Sequence, residues 1–400
     1  MEVRITNATE GAKMTEPAKP IVAPPGLEGV AVAETTIGDV RGEEGFFHYR
    51  GYNAAELARQ CSFEQVWHLL IEGELPDPEQ TTKFREQTAQ LRTLPEQVSR
   101  LLPALAEIDP FAPLEALRTS VSLAASVIGL QPTMDIPAEE VRREAIRMTA
   151  LVPVLLTGLY RAHQGLGPVQ ADPNLGYAAA YLQMLTGERP DDEHARAVEK
   201  YLILTMDHGF NASTFTARVI ASTGADLGSA LVGAIGALSG PLHGGAPSRA
   251  LHTLDEIGTE ERAYDYLRDK VASGERLMGF GHRVYKTDDP RSTLLREVAL
   301  QLGGEQAQFA QHVEQTALQV LNELKPGRRL YTNVEFYAGV VMNTAGIPRE
   351  MFTPTFASSR TVGWTAAICE QAAHNRLIRP SAIYVGPQPP RPLPDGYGYV

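Results

Sequence analysis

A mainly α-helical protein with a short β segment near its N-terminus is the fold class this sequence predicts. Three observations carry that reading. Apolar residues recur at helical spacing through most of the chain. No run of alternating strands and no βαβ rhythm interrupts them. Only residues 26–52, rich in Val, Thr, Ile and aromatic residues and punctuated by glycine, read as short strands or a hairpin.

The elements follow in order. Residues 1–25 are polar, contain prolines and lack an apolar core, so they read as a flexible tail rather than a signal peptide. Beyond the β segment, Ser62 and Gln65 have the spacing of a capping box. Val66, Leu69 and Leu70 then form an apolar face, and Gly73 is a stop signal. Val198, Leu202, Ile203 and Met206 keep helical spacing, as do Val313, Ala317, Leu321 and Leu324 before Pro326-Gly327. From Leu227 to Ser248 no Asp, Glu, Lys or Arg occurs, which raises the possibility of a membrane span. Gly240, Pro241, Gly244 and Gly245 break that stretch, so residues 228–239 read as a buried helix and no membrane span is expected. The last stretch, "GPQPPRPLPDGYGYV", is too rich in Pro and Gly for a helix and reads as an extended tail.

Composition narrows the function. The 400 residues are 43% hydrophobic and 21% charged, ordinary values for a globular enzyme. A net charge of −12 argues against nucleic acid or an anionic membrane as the main partner. An anionic substrate would then need a local positive field built into its site. Two cysteines, Cys61 and Cys369, form no CxxC pattern. Neither a disulfide framework nor a zinc site is expected, and a reducing, cytoplasmic setting fits best.

Four segments carry candidate chemistry: "MDHGFNASTFTAR" (206–218), "LSGPLHGGAPSRAL" (238–251), "MGFGHRVYKTDDPRS" (278–292) and "TNVEFYAG" (332–339). Taken singly, a histidine beside glycine is more often a loop or core residue than a catalytic one. "GFGHRV" is not GxGxxG, and no GxSxG, HExxH or calcium loop occurs, so dinucleotide, esterase and metal readings fall away. The combination says more. His208, His243 and His282 supply imidazoles, Glu335 a carboxylate, and Arg291, Arg360 and Arg379 guanidinium forks. Arginines bind carboxylates bidentately and stay charged when desolvated, so such a set would cage a small polycarboxylate. A carboxylate base opposite a neutral imidazole donor could enolise a thioester.

At this point the chain resembles a known family. "GPLHGGA", "GFGHRVYKTDDPR", "FTPTFASSR", "GW", "NRLIRPSAIYVGP" and "DHGFNASTFTAR" are similar to the motifs of citrate synthase, over roughly Gly26 to Pro387. The resemblance implies a mainly α homodimer: a tail at 1–25, a large helical domain at 26–245 returning at 353–387, a small domain at 246–352, and an extended tail at 388–400. It implies condensation of acetyl-CoA with oxaloacetate and hydrolysis of citryl-CoA, with no cofactor and no metal. By that resemblance His243, His282 and Glu335 are catalytic. His208, His282, Arg291, Arg360 and Arg379 bind oxaloacetate, with Arg379 completing the partner's site. Leu277, Met278, Gly279, Phe280, Gly281 and Lys286 cover coenzyme A. Asp207 reads as a scaffold charge, Asp288 and Asp289 as setting the turn into Pro290, Tyr331 and Tyr337 as packing residues, and Cys369 as a small core residue.

The chain departs from the family pattern in three places. Glu335 stands where aspartate is usual, Gly209 follows the first histidine where an acid is frequent, and "GGAPSRAL" replaces a more usual "GGANE". The glutamate moves its carboxylate by up to about 1.5 Å, a displacement that can cost about 10²-fold in rate. Its unperturbed pKa matches that of aspartate, so the base chemistry is kept. A 2-methylcitrate synthase, another acyl-CoA condensing enzyme, or a regulatory paralogue that binds the same ligands remain the alternatives.

Overall fold

The computed structural model describes residues 21–108, 111–243, 247–282, 284–326 and 330–394. The helix-breaking pair Gly244 and Gly245, the stop residue Gly327 and most of the predicted N-terminal tail lie outside the described residues.

The β segment is a three-stranded antiparallel sheet, β1 (Gly38–Arg41), β2 (Phe46–Tyr49) and β3 (Tyr52–Asn53). Gly38 pairs with Tyr49 and Val40 with Phe47, which turns Phe47 and Tyr49 inward, both buried. The strands begin at Gly38, so nearly the first half of the predicted β stretch contributes none of them.

Sixteen α-helices follow among the described residues. The first seven are α1 (Ala54–Gln60), α2 (Phe63–Glu72), α3 (Pro78–Gln90), α4 (Glu96–Ala106), α5 (Pro113–Ile128), α6 (Ala138–His163) and α7 (Tyr177–Thr186). Three carry the first histidine motif and its supports: α8 (Asp192–Thr205), α9 (Ala212–Ala221) and α10 (Leu227–Leu238). The remainder are α11 (Pro247–Ile257), α12 (Glu260–Ala272), α13 (Pro290–Leu302), α14 (Glu305–Leu324), α15 (Val334–Thr344) and α16 (Phe352–Ala373).

Local signals explain these boundaries. Ser62 and Gln65 form the reciprocal capping box, and Gly73 closes α2 in the left-handed conformation. Asp191, Asn211, Asp226, Asp289 and Asn333 each cap a helix through a side-chain oxygen. The apolar stretch expected as a buried helix is α10, whose Leu227, Leu231, Ile235 and Leu238 are buried. By length and apolar character one described helix, α6, is long enough to cross a membrane, but most of it is buried against its neighbours.

Packing sets two groupings around the site. Helix α16 lies along α6, α9 and α10, while α12 packs on α14, and α15 on α11 and α13. Helix α8 touches members of both groups: α7, α16, α13 and α15. The chain from Thr35 to Leu377 is one compact unit; the two terminal segments, up to Glu34 and from Ile378, form another.

One glycine fixes a close approach. Within α16, Gly363 donates its N–H to the Met206 carbonyl at 3.1 Å, and a Cβ there would overlap that oxygen and the Asp207 side chain. Gly363→Ala is therefore expected to destabilise the protein by about 1–3 kcal/mol through overpacking, read as a lower urea midpoint. An unchanged midpoint would mean that α16 can withdraw from residues 206–207 without loss.

Candidate active site

The site is assembled from four loops that end on helix termini. His208 lies between α8 and α9, His243 after α10, His282 before α13, and Glu335 in the first turn of α15.

His243 is held by the start of α9. Its Nε2 lies 2.8 Å from Ser213 Oγ and accepts from the Ser213 backbone N–H at 3.3 Å. A backbone N–H can only donate, so Nε2 is the acceptor nitrogen and the proton sits on Nδ1. Ser213 is in turn fixed by the Trp364 indole N–H at 3.0 Å and by Asn211 Oδ1 at 2.8 Å. Burial and then Arg360 pull the His243 pKa down to about 4, so the imidazole is neutral at pH 7.

His282 is fixed in the same manner by the opposite nitrogen. Nδ1 accepts from the backbone N–H groups of Val284 at 3.0 Å and Tyr285 at 3.1 Å, which places the proton on Nε2. That N–H and Arg291 Nη2 face each other at 3.2 Å. Two donors so placed are suited to one shared acceptor oxygen. Burial and then Arg291 bring the His282 pKa down to about 4.

His208 completes the imidazole set. Its Nε2 is 3.0 Å from the Tyr285 hydroxyl, and its ring meets His282 edge-on at 5.6 Å. Burial first, then Arg291 and Arg360, push its pKa well below the ordinary value.

Two buried arginines supply the positive field. Arg291 binds Asp289 bidentately, Nε to Oδ1 at 2.9 Å and Nη2 to Oδ2 at 2.7 Å. Its ion lies over the rings of Phe47 (6.0 Å) and Tyr285 (5.6 Å). Burial opposes its charge, but Asp289 more than compensates and holds the pKa above the usual value. Arg360 donates Nε–H to the Thr205 carbonyl at 2.8 Å and lies 4.5 Å over the Phe356 ring. Burial lowers its pKa while Asp207 opposes the shift. Asp207, read from sequence as a scaffold charge, is itself buried and bonded to the Gly209 N–H at 3.1 Å.

Glu335 is partly buried, and its backbone N–H is capped by Asn333 Oδ1 at 3.0 Å. Its segment is tied to the His282 loop by a short antiparallel pairing: Gly281 N–H to the Tyr331 carbonyl at 2.8 Å, and Asn333 N–H to the Gly279 carbonyl at 2.9 Å. Asn333 Nδ2 adds a bond to the Gly281 carbonyl at 3.0 Å. Asp289 closes the connection, because its Oδ2 also accepts from the Val334 N–H at 3.1 Å. The helix behind is anchored by Glu314, which accepts from Thr332 Oγ1 at 2.8 Å and from the Tyr337 hydroxyl at 2.6 Å. Tyr337 thus packs as expected and also bonds.

The loop from Leu277 to Gly281 turns its apolar side chains inward. Leu277 is buried and Phe280 meets Phe336 at 5.2 Å. Gly279 has φ +85° and would put a Cβ 2.9 Å from Phe336, two reasons for glycine that need no ligand. Gly281, His282, Tyr285, Lys286, Tyr331 and Thr332 line a cleft of about 230 Å³. Arg379 is exposed and belongs to the terminal unit. No group of three or more metal-ligating side chains occurs among the described residues.

Sequence reasoning missed Ser213 and Tyr285 and gave Asp289 only its turn-setting role. Their functions depend on contacts across 30, 77 and 45 residues, for which spacing carries no signal.

A family model described as citrate synthase, C-terminal domain, matches residues 26–381. The citrate synthase of Mycolicibacterium smegmatis is 40% identical over 372 residues, 92% of this chain and 96% of that protein. That of Deinococcus radiodurans is 38% identical over 367 residues, 90% and 95% of the two chains. The crystal structure of citrate synthase from Pyrobaculum aerophilum superposes with a TM-score of 0.83 at 35% identity, covering 98% of this chain and 99% of that one. A ternary complex of carboxymethyl coenzyme A and oxaloacetate with citrate synthase from Thermoplasma acidophilum gives 0.83 at 29% identity, covering 93% and 98%.

The depressed histidines make a pH prediction. Folded values near 4 against an ordinary 6.5 stabilise the native state fully above pH 6.5, and that contribution is lost as pH falls from 6.5 towards 4. The urea midpoint is expected to fall more steeply over this window in the wild-type protein than in a His243→Asn/His282→Asn variant. Parallel profiles would show that these imidazoles are not held neutral by the fold.

Proposed function

Because the chain belongs to the citrate synthase family, and so to the acyltransferases, we propose the following division of labour for the condensation of acetyl-CoA with oxaloacetate. The Glu335 carboxylate removes a proton from the thioester methyl group. The Nδ1–H of His243 hydrogen-bonds the thioester oxygen, so the enol forms without a full charge. The enol carbon attacks the ketone of oxaloacetate, whose oxygen lies on the Nε2–H of His282 and becomes the hydroxyl of citryl-CoA. Water then attacks the thioester carbonyl, the C–S bond breaks, and coenzyme A leaves as the thiol with citrate as the acid.

The observation that supports this most directly is the tautomer pair. His243 and His282 are held neutral by opposite nitrogens, each offering one N–H, beside two buried arginines. Neutral donors suit an enol and a ketone; imidazolium groups would protonate the base or each other's substrate. Arg360 and Arg291 clamp the carboxylates of oxaloacetate, with His208 alongside. Arg291 has Nη1 to spare beyond the two nitrogens that Asp289 occupies.

Further parts of the reading rest on family membership. Arg379 serves the site of a second copy in a homodimer. Residues 246–352 act as a small domain that closes over substrate, and the backbone of 277–281 with Lys286 covers coenzyme A. No cofactor takes part, and the protein works in the cytoplasm.

The assay is thiol release with oxaloacetate and either acetyl-CoA or propionyl-CoA. Acetyl-CoA is expected to give the larger kcat/KM. A propionyl preference would make the protein a 2-methylcitrate synthase, and silence with both would leave a ligand-binding paralogue. Glu335→Gln is expected to lower kcat by about 10³-fold or more while oxaloacetate still binds. Undiminished turnover in that variant would remove Glu335 from the chemistry.

A further inference from the structure

One residue touches three of the groups that the proposed function places around oxaloacetate. Tyr285 lies on the loop between His282 and α13 and is buried. Its hydroxyl is 3.0 Å from His208 Nε2. Its backbone N–H donates to His282 Nδ1 at 3.1 Å. Its ring lies 4.8 Å from the His282 ring and 5.5 Å from the His208 ring, with the Arg291 guanidinium over it at 5.6 Å. The loop is fixed in turn by the connection between β1 and β2. Lys286 N–H donates to the Gly42 carbonyl at 3.1 Å, and a Cβ on Gly42 would overlap the Val284 carbonyl. Phe47, on β2, lies 5.7 Å from the His208 ring.

The direction of the hydroxyl bond follows from chemistry. A phenol is a stronger donor than a neutral imidazole N–H. An unprotonated ring nitrogen is a stronger acceptor than a phenol oxygen, whose lone pair is drawn into the ring. Burial raises the Tyr285 pKa well above its ordinary value, Arg291 opposing and Asp289 adding to the rise, so the hydroxyl keeps its proton. His208 is kept neutral by burial and by Arg291, Arg360 and His282, so it has one unprotonated nitrogen to offer.

We propose that Tyr285 is a positioning residue: its hydroxyl donates to His208 Nε2, places the His208 proton on Nδ1 and holds that ring in a fixed relation to His282. The proposal rests on the reading of His208 and His282 as oxaloacetate ligands. The two imidazoles are held by different parts of the residue, His282 by main chain and His208 by side chain. A substitution can therefore release His208 and leave the donor to His282 in place. Tyr285 itself exchanges no proton with substrate.

Tyr285→Phe keeps the ring and the backbone N–H and removes the hydroxyl alone. The KM for oxaloacetate is expected to rise about tenfold, with kcat within about threefold and the KM for acetyl-CoA within about twofold. In a His208→Ala background the same substitution is expected to change the oxaloacetate KM by less than about twofold, because the partner is already gone. A readout independent of turnover is the nitrogen-15 spectrum of labelled histidine side chains in the ligand-free protein at neutral pH, with the His208 signals assigned by their loss in His208→Ala. In the wild type, Nε2 is expected at the position of an unprotonated ring nitrogen. In Tyr285→Phe it is expected to move towards the protonated position as the two tautomers exchange. A wild-type Nε2 that carries the proton overturns the proposal, as does an Nε2 signal that does not move in Tyr285→Phe. An unchanged oxaloacetate KM overturns it too, and so does an equal loss in the His208→Ala background, which would give the hydroxyl another partner. If the wild-type protein releases no thiol from either acyl-CoA, the citrate synthase reading fails, and the spectrum still decides the hydrogen bond.

Discussion

Three hydrogen bonds between two short segments, and a fourth from Asp289, tie the loop that leads to His282 to the start of the helix that carries Glu335. The backbones of 279–281 and 331–333 pair across Gly281–Tyr331 and Asn333–Gly279, the Asn333 amide reaches Gly281, and Asp289 accepts from Val334. The first segment runs directly into His282 and the second directly into Glu335. The separation of the His282 and Glu335 backbones is thereby set by main chain, which does not change rotamer. Asp289 extends the same constraint to Arg291, since one carboxylate binds the guanidinium with both oxygens and the Val334 amide with one of them. A residue that starts one helix thus also ties Arg291 to the start of the helix that carries Glu335.

A second constraint is electrostatic. The chain carries a net charge of −12, yet its candidate site buries two guanidinium groups, which would be unfavourable if they were left alone. Asp289 pairs with Arg291, and Asp207 lies beside Arg360, while both cations lie against aromatic faces. The same two cations act on the imidazoles. With burial, they keep His208, His243 and His282 uncharged, so the field proposed to bind the diacid also sets the protonation state that the proposed enolisation needs.

Helix α8 makes these two constraints compatible. Its C-terminal end leads to Asp207 and His208, its Thr205 carbonyl receives Arg360, and its flank receives α13 and α15. The close contact of α16 with residues 206–207 requires the glycine at 363, and the adjacent Trp364 then reaches Ser213 and, through it, His243. The "GW" pair is thus one structural device with two consequences, one for packing and one for the tautomer of a histidine far away in sequence.

The sequence by itself determined the helical class, the two ends of α2, the buried helix α10 and the candidates for the site. Helical periodicity and capping residues such as Ser62, Asn211 and Asn333 act over three or four positions, so their consequences are written locally. The histidines, Glu335 and the arginines were legible because their residue types suit one chemistry and their motifs resemble one family. Tertiary structure decided the rest. Which nitrogen of His243 carries the proton depends on Ser213, and His208 depends on Tyr285, across 30 and 77 residues. Asp289 looked like a turn former because its local role is real; its bond to Val334 arises only when α13 and α15 are side by side. Periodicity reports which face of a helix is buried, whereas protonation and positioning depend on what that face meets, and that is fixed by packing between segments distant in sequence.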